Sequence, residues 1–265
     1  MTRPTPARIL AHNRNAWNGF ARDGDRWSIP TDPATIERAR AGDWQVLLTP
    51  NKATPHEWFG KLSGKDLLCL ASGGGQQAPI LAAAGAKVVS FDLSDEQLAL
   101  DRRTAESNQL TLRCEQGDMA DLSRFADESF DLIFNPCSTL FVPDVLPVWS
   151  ECARVLRRGG RLLTGFMNPS FFLFDHEENE DGTLSIRNAL PYDESNDATL
   201  DAKRRRQLAD GDALEFSHSL ETLIGGQLAA GLSLIDLYED WWEDAATPLN
   251  RYSPTYVATQ AIKPQ

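Results

Sequence analysis

The sequence is short of cysteine and has no long apolar stretch, and each absence excludes a class of protein. Its four cysteines show no CxxC pairing or other spacing that is typical of a metal site. We therefore expect reduced, mostly buried thiols and no metal centre. No run approaches the roughly 18 apolar residues of a membrane span. The arginines near the N-terminus come without the apolar segment of a signal peptide. These features predict a cytoplasmic protein that does not enter a membrane.

Basic residues are also scarce, because 26 lysines and arginines stand against 38 aspartates and glutamates, for a formal net charge of −12. Most of such a surface would repel the phosphates of a nucleic acid, so we expect no nucleic-acid partner. The chain of 265 residues is long enough to form one large domain with a full core. The remaining classes are a cytoplasmic enzyme and a small-molecule binding protein.

The stretch 66–97 predicts a nucleoside-binding half of a parallel sheet. Residues 67–71 form a short apolar run that is typical of a strand buried on both faces. The glycines at 73–75 follow this run, and glycine lets the backbone turn sharply and lets a ligand approach it closely. A helix and a second strand come next. That strand ends at Asp92, where such sheets present a carboxylate to a ribose.

The rest of the chain continues the alternation of strands and helices, and this alternation ends at the last two strands. Further strands are predicted over 110–115, 130–135, 161–167, 233–241 and 255–263. The last two are joined by a loop without a helix, so they must pair antiparallel if they pair at all. The predicted fold class is therefore α/β, with a doubly wound, Rossmann-like sheet of seven strands and an antiparallel last strand.

Two regions lie outside this alternation of strands and helices. Residues 1–65 hold short predicted helices and four of the seven tryptophans, and we interpret them as an N-terminal helical arm or lid. Residues 169–213 are too long for a plain connection, so they predict an insertion over the substrate crevice. The basic run within it, 203–206, is expected on one solvated face of a short helix that pairs with nearby acids. Residues 66–168 and 214–265 would then form the core of a single domain, the second range ending in the terminal hairpin.

The glycine loop by itself fits two cofactors. Residues 73–78 match the dinucleotide fingerprint G-x-G-x-x-A, which makes an NAD-linked oxidoreductase one candidate. Three features argue against NAD: Pro79 beside the first helical turn, the long arm ahead of the first strand, and the terminal hairpin. In addition, few residues are left for the second nucleotide-binding half that a dinucleotide enzyme needs.

Several motifs in sequence order favour a different cofactor. The motifs are 68–77, 91–94, 117–119, 129–133 and 154–160, and together they resemble the class I S-adenosylmethionine-dependent methyltransferases. The glycine loop is similar to that of a bacterial group with the pattern LxLASGGGQQ. The resemblance implies S-adenosyl-L-methionine as the cofactor and in-line methyl transfer to a small or medium-sized molecule. A non-catalytic protein that binds S-adenosylmethionine or S-adenosylhomocysteine is the other alternative.

The resemblance also implies roles for individual residues. Gly73 and Gly75 would leave room around the methionine and ribose portions of the cofactor. Asp92 would accept hydrogen bonds from both ribose hydroxyls, while Leu93 and Met119 would sandwich the adenine. Further cofactor contacts are expected from Ala71, Gln77, Gln97, Asn135 and, as the acceptor for the adenine amino group, Asp118.

The catalytic group and the acceptor pocket are less determined. Methyl transfer from a sulfonium depends on alignment and on exclusion of water, and it needs a base only if the acceptor must lose a proton. His176 and His218 lie nearest to a substrate position in this topology. The arm and the insertion are expected to meet as a lid over a compact small-molecule acceptor. The aromatic residues of that pocket would be Trp17, Trp44, Phe171 and Phe172.

Overall fold

The computed structural model describes residues 4–178, 183–196, 200, 202–243 and 246–265, without the side chains of 175–178. Seven of the described strands form one sheet: β1 (Asp66–Leu70), β2 (Lys87–Asp92), β3 (Leu112–Gln116), β4 (Phe130–Asn135), β5 (Leu156–Met167), β8 (Ser233–Asp240) and β9 (Tyr256–Ile262). Strands β6 (Phe174–Glu178) and β7 (Leu184–Ile186) form a separate antiparallel hairpin. The helices are α1 (Pro6–Asp23), α2 (Pro33–Arg40), α3 (His56–Phe59), α4 (Gln77–Ala83), α5 (Asp95–Ser107), α6 (Leu146–Val155), α7 (Ala202–Ala209) and α8 (Gly226–Ala229).

The strand order of the sheet is β3-β2-β1-β4-β5-β9-β8. Strands β1 to β5 pair in parallel, whereas β9 runs antiparallel to both β5 and β8. The chain builds outward from β1 to β3 and then returns to β4 on the other side of β1. Such a reversal leaves a crevice at the carboxyl ends of the strands, where ligands bind. The predicted fold class is confirmed, including the antiparallel last strand.

The central strands are apolar throughout because helices cover both faces of the sheet. Successive side chains of a strand point to opposite faces. Leu68 of β1 accordingly packs in one cluster with Trp149 of α6, and its neighbour Leu67 packs in another with Trp58 of α3. All four cysteines are free thiols, two of them buried and two half-buried. No helix in the described part of the chain is both long and apolar enough to cross a membrane.

The N-terminal arm packs against the core through α1 and α2. Helix α1 is longer than the sequence indicated and lies along α5. It begins with a proline, and its last residue is followed by Gly24, whose left-handed backbone (φ 72°) suits glycine. Its buried Asn13 side chain donates to the carbonyls of Phe141 and Leu214 (2.9 and 3.0 Å) and accepts from the Leu214 N–H (2.8 Å). The arm thereby contacts the chain just after the insertion.

The insertion contains the β6–β7 hairpin and α7. The basic run 203–206 lies on α7, as the sequence predicted. Arg204 pairs with Glu194 at 2.6 Å and with Asp212 at 2.5 Å. Its side chain is only 16% exposed, so these acids neutralise a guanidinium that the fold largely buries.

Candidate active site

A cavity of about 650 Å³ opens at the carboxyl ends of the parallel strands, which is an ordinary size for a small-molecule site. One end lies beyond β1 and β2, and we call it the glycine-loop end; it includes Ser72, Gly73, Asp92, Leu93, Asp118 and Met119. The other end lies beyond β4 and β5, beside the start of β9. We call it the aromatic end; it includes Cys137, Phe141, Phe171, Glu215, Trp242 and Tyr256.

Asp92, the last residue of β2, is held in place by backbone donors. Its Oδ2 accepts from the N–H of Gly73 (3.0 Å) and its Oδ1 from the N–H of Ser94 (2.9 Å). Burial raises the pKa of the carboxyl, and these N–H groups oppose that shift because they stabilise the charged form. A carboxylate has about four lone-pair positions. Two of them therefore remain for a ligand in the cavity that Asp92 lines.

Gly73 has no room for a side chain. A Cβ at this position would lie 2.8 Å from Cβ of Gln97 and 3.2 Å from Oδ2 of Asp92. The hydroxyl of Ser72 and Oε1 of Gln97 are buried nearby, and neither has a hydrogen-bond partner among the described residues. Both residues line the cavity. Unpaired buried polar atoms are costly, so they mark positions where a ligand would supply the missing partners.

Gly75 has a different role from the one that the resemblance implied. It is not among the described residues that line the cavity. Its carbonyl accepts from the N–H of Thr31 in the arm (2.8 Å), and its own N–H donates to Oδ1 of Asp101 (2.7 Å). A Cβ there would lie 2.9 Å from Cβ of Pro30. Gly75 therefore connects the loop to the arm and to α5.

Asp101 supports the loop from behind, and sequence reasoning missed it. Its Oδ2 accepts from the hydroxyl of Ser90 on β2 (2.5 Å), and burial raises the pKa of the carboxyl to about 7. A signal was available, since Gln97, Asp101 and Thr104 recur at helical spacing and put polar side chains on the buried face of α5. Polar residues at core positions of a helix indicate a hydrogen-bonding role there.

The glycine-loop end contains most of the predicted cofactor residues. Asp118 has one oxygen engaged within the protein, because Oδ1 accepts from the N–H of Ala120 (2.9 Å). Gln77 accepts from the N–H of Leu47 in the arm (3.0 Å). The predicted cofactor residues that line the cavity are Ala71, Gly73, Gln77, Asp92, Leu93, Gln97, Asp118 and Met119.

Asn135 and Trp44 do not line the cavity, which corrects their predicted roles. The amide of Asn135 is fully buried; it donates to the carbonyl of Leu70 (2.8 Å) and accepts from the hydroxyl of Thr164 (2.9 Å). It joins β1, β4 and β5, since its polar atoms are used within the sheet. Trp44 stacks on His56 with ring centroids 4.1 Å apart, inside the arm.

Phe172 and His218 are also not among the described residues that line the cavity. Phe172 is buried and stacks on Tyr192, with ring centroids 5.6 Å apart. His218 donates from Nε2 to the carbonyl of Thr139 (3.0 Å), and burial lowers the pKa of its ring. The side chain of His176 lies outside the described residues. Of the predicted acceptor residues, Trp17 and Phe171 line the cavity.

Aromatic rings in contact form the wall of the aromatic end. Trp242 packs against Phe171 and Tyr256, with ring centroids 5.7 and 5.6 Å apart. Trp17 of α1 meets Phe141 edge-to-face at 5.0 Å. Trp242 and Tyr256 were missed from the sequence because they lie beyond the insertion, on either side of the loop between β8 and β9.

Glu215 brings a carboxyl to this apolar wall, and it too was missed. Burial raises its pKa to about 8; the charge of Glu194 adds to the shift and that of Arg204 opposes it. Its N–H donates to Oε2 of Glu194 (2.7 Å), and the following N–H, of Phe216, donates to the carbonyl of Leu140 (2.8 Å). No sequence motif surrounds Glu215, so only its place in the fold reveals it.

A doubly wound sheet with an antiparallel β9 next to β5, together with a carboxylate facing a glycine loop, defines the class I methyltransferase architecture. A family model described as "Methyltransferase domain" matches residues 68–164. Over 255 residues the chain is 44% identical to the uncharacterized methyltransferase YbaJ of Bacillus subtilis (strain 168), covering 96% of this chain and 98% of that protein. The chain therefore belongs to the S-adenosylmethionine-dependent methyltransferases. This confirms the predicted enzyme class and decides between the two cofactors.

Solved structures agree on the fold. An S-adenosylmethionine-dependent methyltransferase from Mesorhizobium loti has a TM-score of 0.62 and 20% identity, covering 78% of this chain and 94% of that chain. The 1,6-didemethyltoxoflavin-N1-methyltransferase of Burkholderia thailandensis, solved with 1,6-didemethyltoxoflavin and S-adenosylhomocysteine bound, has a TM-score of 0.57 and 17% identity. It covers 100% of this chain and 93% of that chain.

Proposed function

We propose that the protein transfers the methyl group of S-adenosyl-L-methionine to a small or medium-sized molecule bound at the aromatic end of the cavity. The observation that carries this proposal is the continuity of the cavity. One space joins the carboxylate of Asp92 and the glycine loop to a wall of aromatic side chains. A cofactor and a compact acceptor would therefore meet without solvent between them.

The residues at the glycine-loop end fit the cofactor. The free lone pairs of Asp92 suit a ribose diol, and Gly73 leaves the space that a Cβ would fill. Leu93 and Met119 offer apolar faces to the adenine, and Asp118 lies beside them as an acceptor for its amino group. Ala71, Ser72 and Gln77 would face the methionine portion, and Gln97 offers an unused oxygen.

Bound S-adenosylmethionine would supply an electrophilic methyl carbon, and an acceptor lone pair attacking that carbon in line would displace the sulfur. The protein would contribute position and a dry site. Trp17 of the arm and Phe171 at the start of the insertion both line the cavity, which supports a lid role for these segments. Arg26 of the arm pairs with Glu243 after β8 through contacts of 2.6 and 3.3 Å, and it also lines the cavity.

The predictions about the subgroup of the family, the kind of acceptor and the location in the cell are part of this proposal. The loop pattern supports membership of the bacterial LxLASGGGQQ group. A formal net charge of −12 supports a small-molecule acceptor over a nucleic acid. Location in the cytoplasm stays a prediction.

Calorimetry with S-adenosylmethionine, S-adenosylhomocysteine and NAD tests the cofactor half of the proposal. We expect both sulfur ligands to bind and NAD to give no heat. Transfer of a labelled methyl group to components of a metabolite extract tests the enzymatic half. NAD binding without a response to the sulfur ligands would refute the proposal. Ligand binding without transfer to any fraction would favour the non-catalytic alternative.

A further inference from the structure

Three polar groups at the aromatic end have no hydrogen-bond partner within the described protein. The indole Nε1 of Trp242 is buried and unpaired. No described residue forms a hydrogen bond with the carboxyl of Glu215 or the hydroxyl of Tyr256, although both residues line the cavity. Buried polar groups are nearly always paired in folded proteins. The buried Nε1 of Trp242 therefore lacks an expected partner, and the half-buried Glu215 and the buried Tyr256 add an unpaired carboxyl and hydroxyl to the same wall. Together these groups indicate a ligand with complementary donors and acceptors.

The fold holds Glu215 in position without using its side chain. The carboxylate of Glu194 accepts from the N–H of Glu215 (2.7 Å), and it is itself held by Arg204 (2.6 and 2.8 Å) and by the hydroxyl of Tyr192 (2.8 Å). Arg204 also donates to Asp212. The guanidinium of Arg204, whose charge acts on Glu215, is thus shared by two other acids, and the carboxyl of Glu215 stays available to the cavity.

The charges around Glu215 favour its neutral form when the cavity is empty. Burial, Glu194 and Asp212 raise the pKa of its carboxyl to about 8, against the opposing charge of Arg204. On the cavity side, burial above all and also the charge of Glu215 raise the pKa of Cys137 and Tyr256, whereas Arg26, which lines the same cavity, opposes the shift at Tyr256. A neutral ligand suits this end better than an anionic one, because the nearby guanidinium groups of Arg26 and Arg204 are already paired with acids. A base works best when its pKa lies near the working pH.

The shape of the aromatic end restricts the ligand further. Phe171, Trp242 and Tyr256 present ring faces and edges, which pack well against a planar ring. The whole cavity measures about 650 Å³ and has to hold the cofactor as well, so the acceptor is compact.

We propose that Glu215 receives the methyl acceptor, and that this acceptor is a neutral aromatic or heteroaromatic molecule whose O–H or N–H group hydrogen-bonds to the Glu215 carboxyl group. This inference rests on the proposed function and adds its substrate class. In the transfer the acceptor's oxygen or nitrogen forms a bond to the methyl carbon. The methyl–sulfur bond breaks and its electron pair remains on sulfur, while the acceptor's proton passes to the Glu215 carboxylate and then to water.

The test uses two matched probes on the full chain saturated with S-adenosylhomocysteine. The probes are 2-naphthol, which has an O–H group, and 2-methoxynaphthalene, in which a methyl group replaces that hydrogen. Binding is followed by quenching of tryptophan fluorescence. We expect 2-naphthol to bind on the order of tenfold more tightly, from one hydrogen bond to a charged group. Its affinity should rise between pH 7 and 8.5 as Glu215 ionises.

Two variants and one control separate the outcomes. Glu215→Leu should abolish the preference for 2-naphthol. Glu215→Gln keeps an acceptor oxygen, so it should retain the preference but lose the pH dependence. Glu221→Gln, an exposed acid just beyond, should behave like the wild type. If Glu215→Leu does not fold, the pH profile of Glu215→Gln decides alone.

Each result tests one proposal. A preference that persists in Glu215→Leu, or a pH dependence that persists in Glu215→Gln, would overturn the inference and leave the proposed function intact. The same holds if the wild type shows no preference while S-adenosylhomocysteine binds. Failure of S-adenosylhomocysteine to bind would instead refute the proposed function.

Discussion

The two ends of the cavity differ in how far apart their residues lie in the chain. At the glycine-loop end, Gly73, Asp92 and Ser94 belong to one β-α-β unit, and backbone N–H groups fix the carboxylate. At the aromatic end, Phe141, Glu215 and Tyr256 come from three distant segments that meet only in the fold. The first end is a local structure that one motif can encode. The second depends on how the arm, the insertion and the last strand pack together.

The largest effect is expected at the glycine-loop end. Replacing Asp92 with alanine should weaken binding of S-adenosylhomocysteine by about 2–4 kcal/mol, roughly 30- to 1,000-fold, because two charge-assisted hydrogen bonds are lost. Calorimetry measures the affinity, and thermal unfolding should show a folded variant with some loss of stability, because the N–H groups of Gly73 and Ser94 lose their acceptor. Asp95→Ala, an exposed acid three residues on, is the matched control. Unchanged affinity in Asp92→Ala would remove this carboxylate from the site.

A smaller effect is expected from filling the space at Gly73. In Gly73→Ala the new Cβ would approach Cβ of Gln97 to 2.8 Å, so the loop or α5 must shift. We expect a loss of about 1–3 kcal/mol in the free energy of unfolding, together with weaker cofactor binding. Gly19→Ala in α1 is the control, because nothing lies within 4 Å of its added Cβ. It should raise stability slightly, as alanine is the better helix former. Equal behaviour of the two variants would contradict the packing argument.

The pH dependence of stability tests the support behind the loop. Burial raises the pKa of the Asp101 carboxyl from 3.8 to about 7 in the folded protein. Between these values the folded state binds a proton that the unfolded state has released. The contribution of Asp101 to the free energy of unfolding is therefore fully present below about pH 4. It is lost as the pH rises toward 7, by up to about 1.4 kcal/mol per pH unit.

The measurement is chemical unfolding of Asp101→Asn and wild type across that range. The free energy of unfolding of Asp101→Asn should lack this decrease with pH, since the amide can accept from the N–H of Gly75 and does not titrate. Asp95→Asn serves as the exposed control. A slope that is identical in Asp101→Asn and wild type would show that Asp101 does not titrate in this window.

The smallest effect on stability is expected at the contact that joins the arm to the segment after β8. Arg26 and Glu243 are 45% and 52% exposed, so Arg26→Ala should cost no more than about 1 kcal/mol. If the arm is a lid, however, this variant should exchange its amide hydrogens faster around residues 24–31 when S-adenosylhomocysteine is bound. Arg22→Ala, whose contact with Glu96 is longer at 3.9 Å, is the control. Equal exchange in the two variants would argue against a lid.

The sequence alone determined the sheet and most of the glycine-loop end. Buried strands, glycines and the acid at the end of β2 are signals within one stretch of chain, and repeated β-α units with a terminal hairpin predict a doubly wound sheet with an antiparallel last strand. The predicted cofactor contact of Asn135 was wrong, because position at a strand end does not show whether an amide faces a ligand or a neighbouring strand. The predicted places of Trp44 and Phe172 in the acceptor pocket were wrong for a similar reason, since an aromatic residue packs wherever the fold provides space.

Only the tertiary structure decided the aromatic end. Glu215 follows the insertion, Trp242 follows β8 and Tyr256 begins β9, and nothing in their local sequence indicates a common wall. Their proximity arises because β9 inserts antiparallel between β5 and β8, and Tyr256 consequently lies opposite Met167 at the carboxyl edge of β5. The raised pKa of Glu215 has the same origin, because burial and the charges of Glu194 and Asp212 exist only once distant segments have packed together.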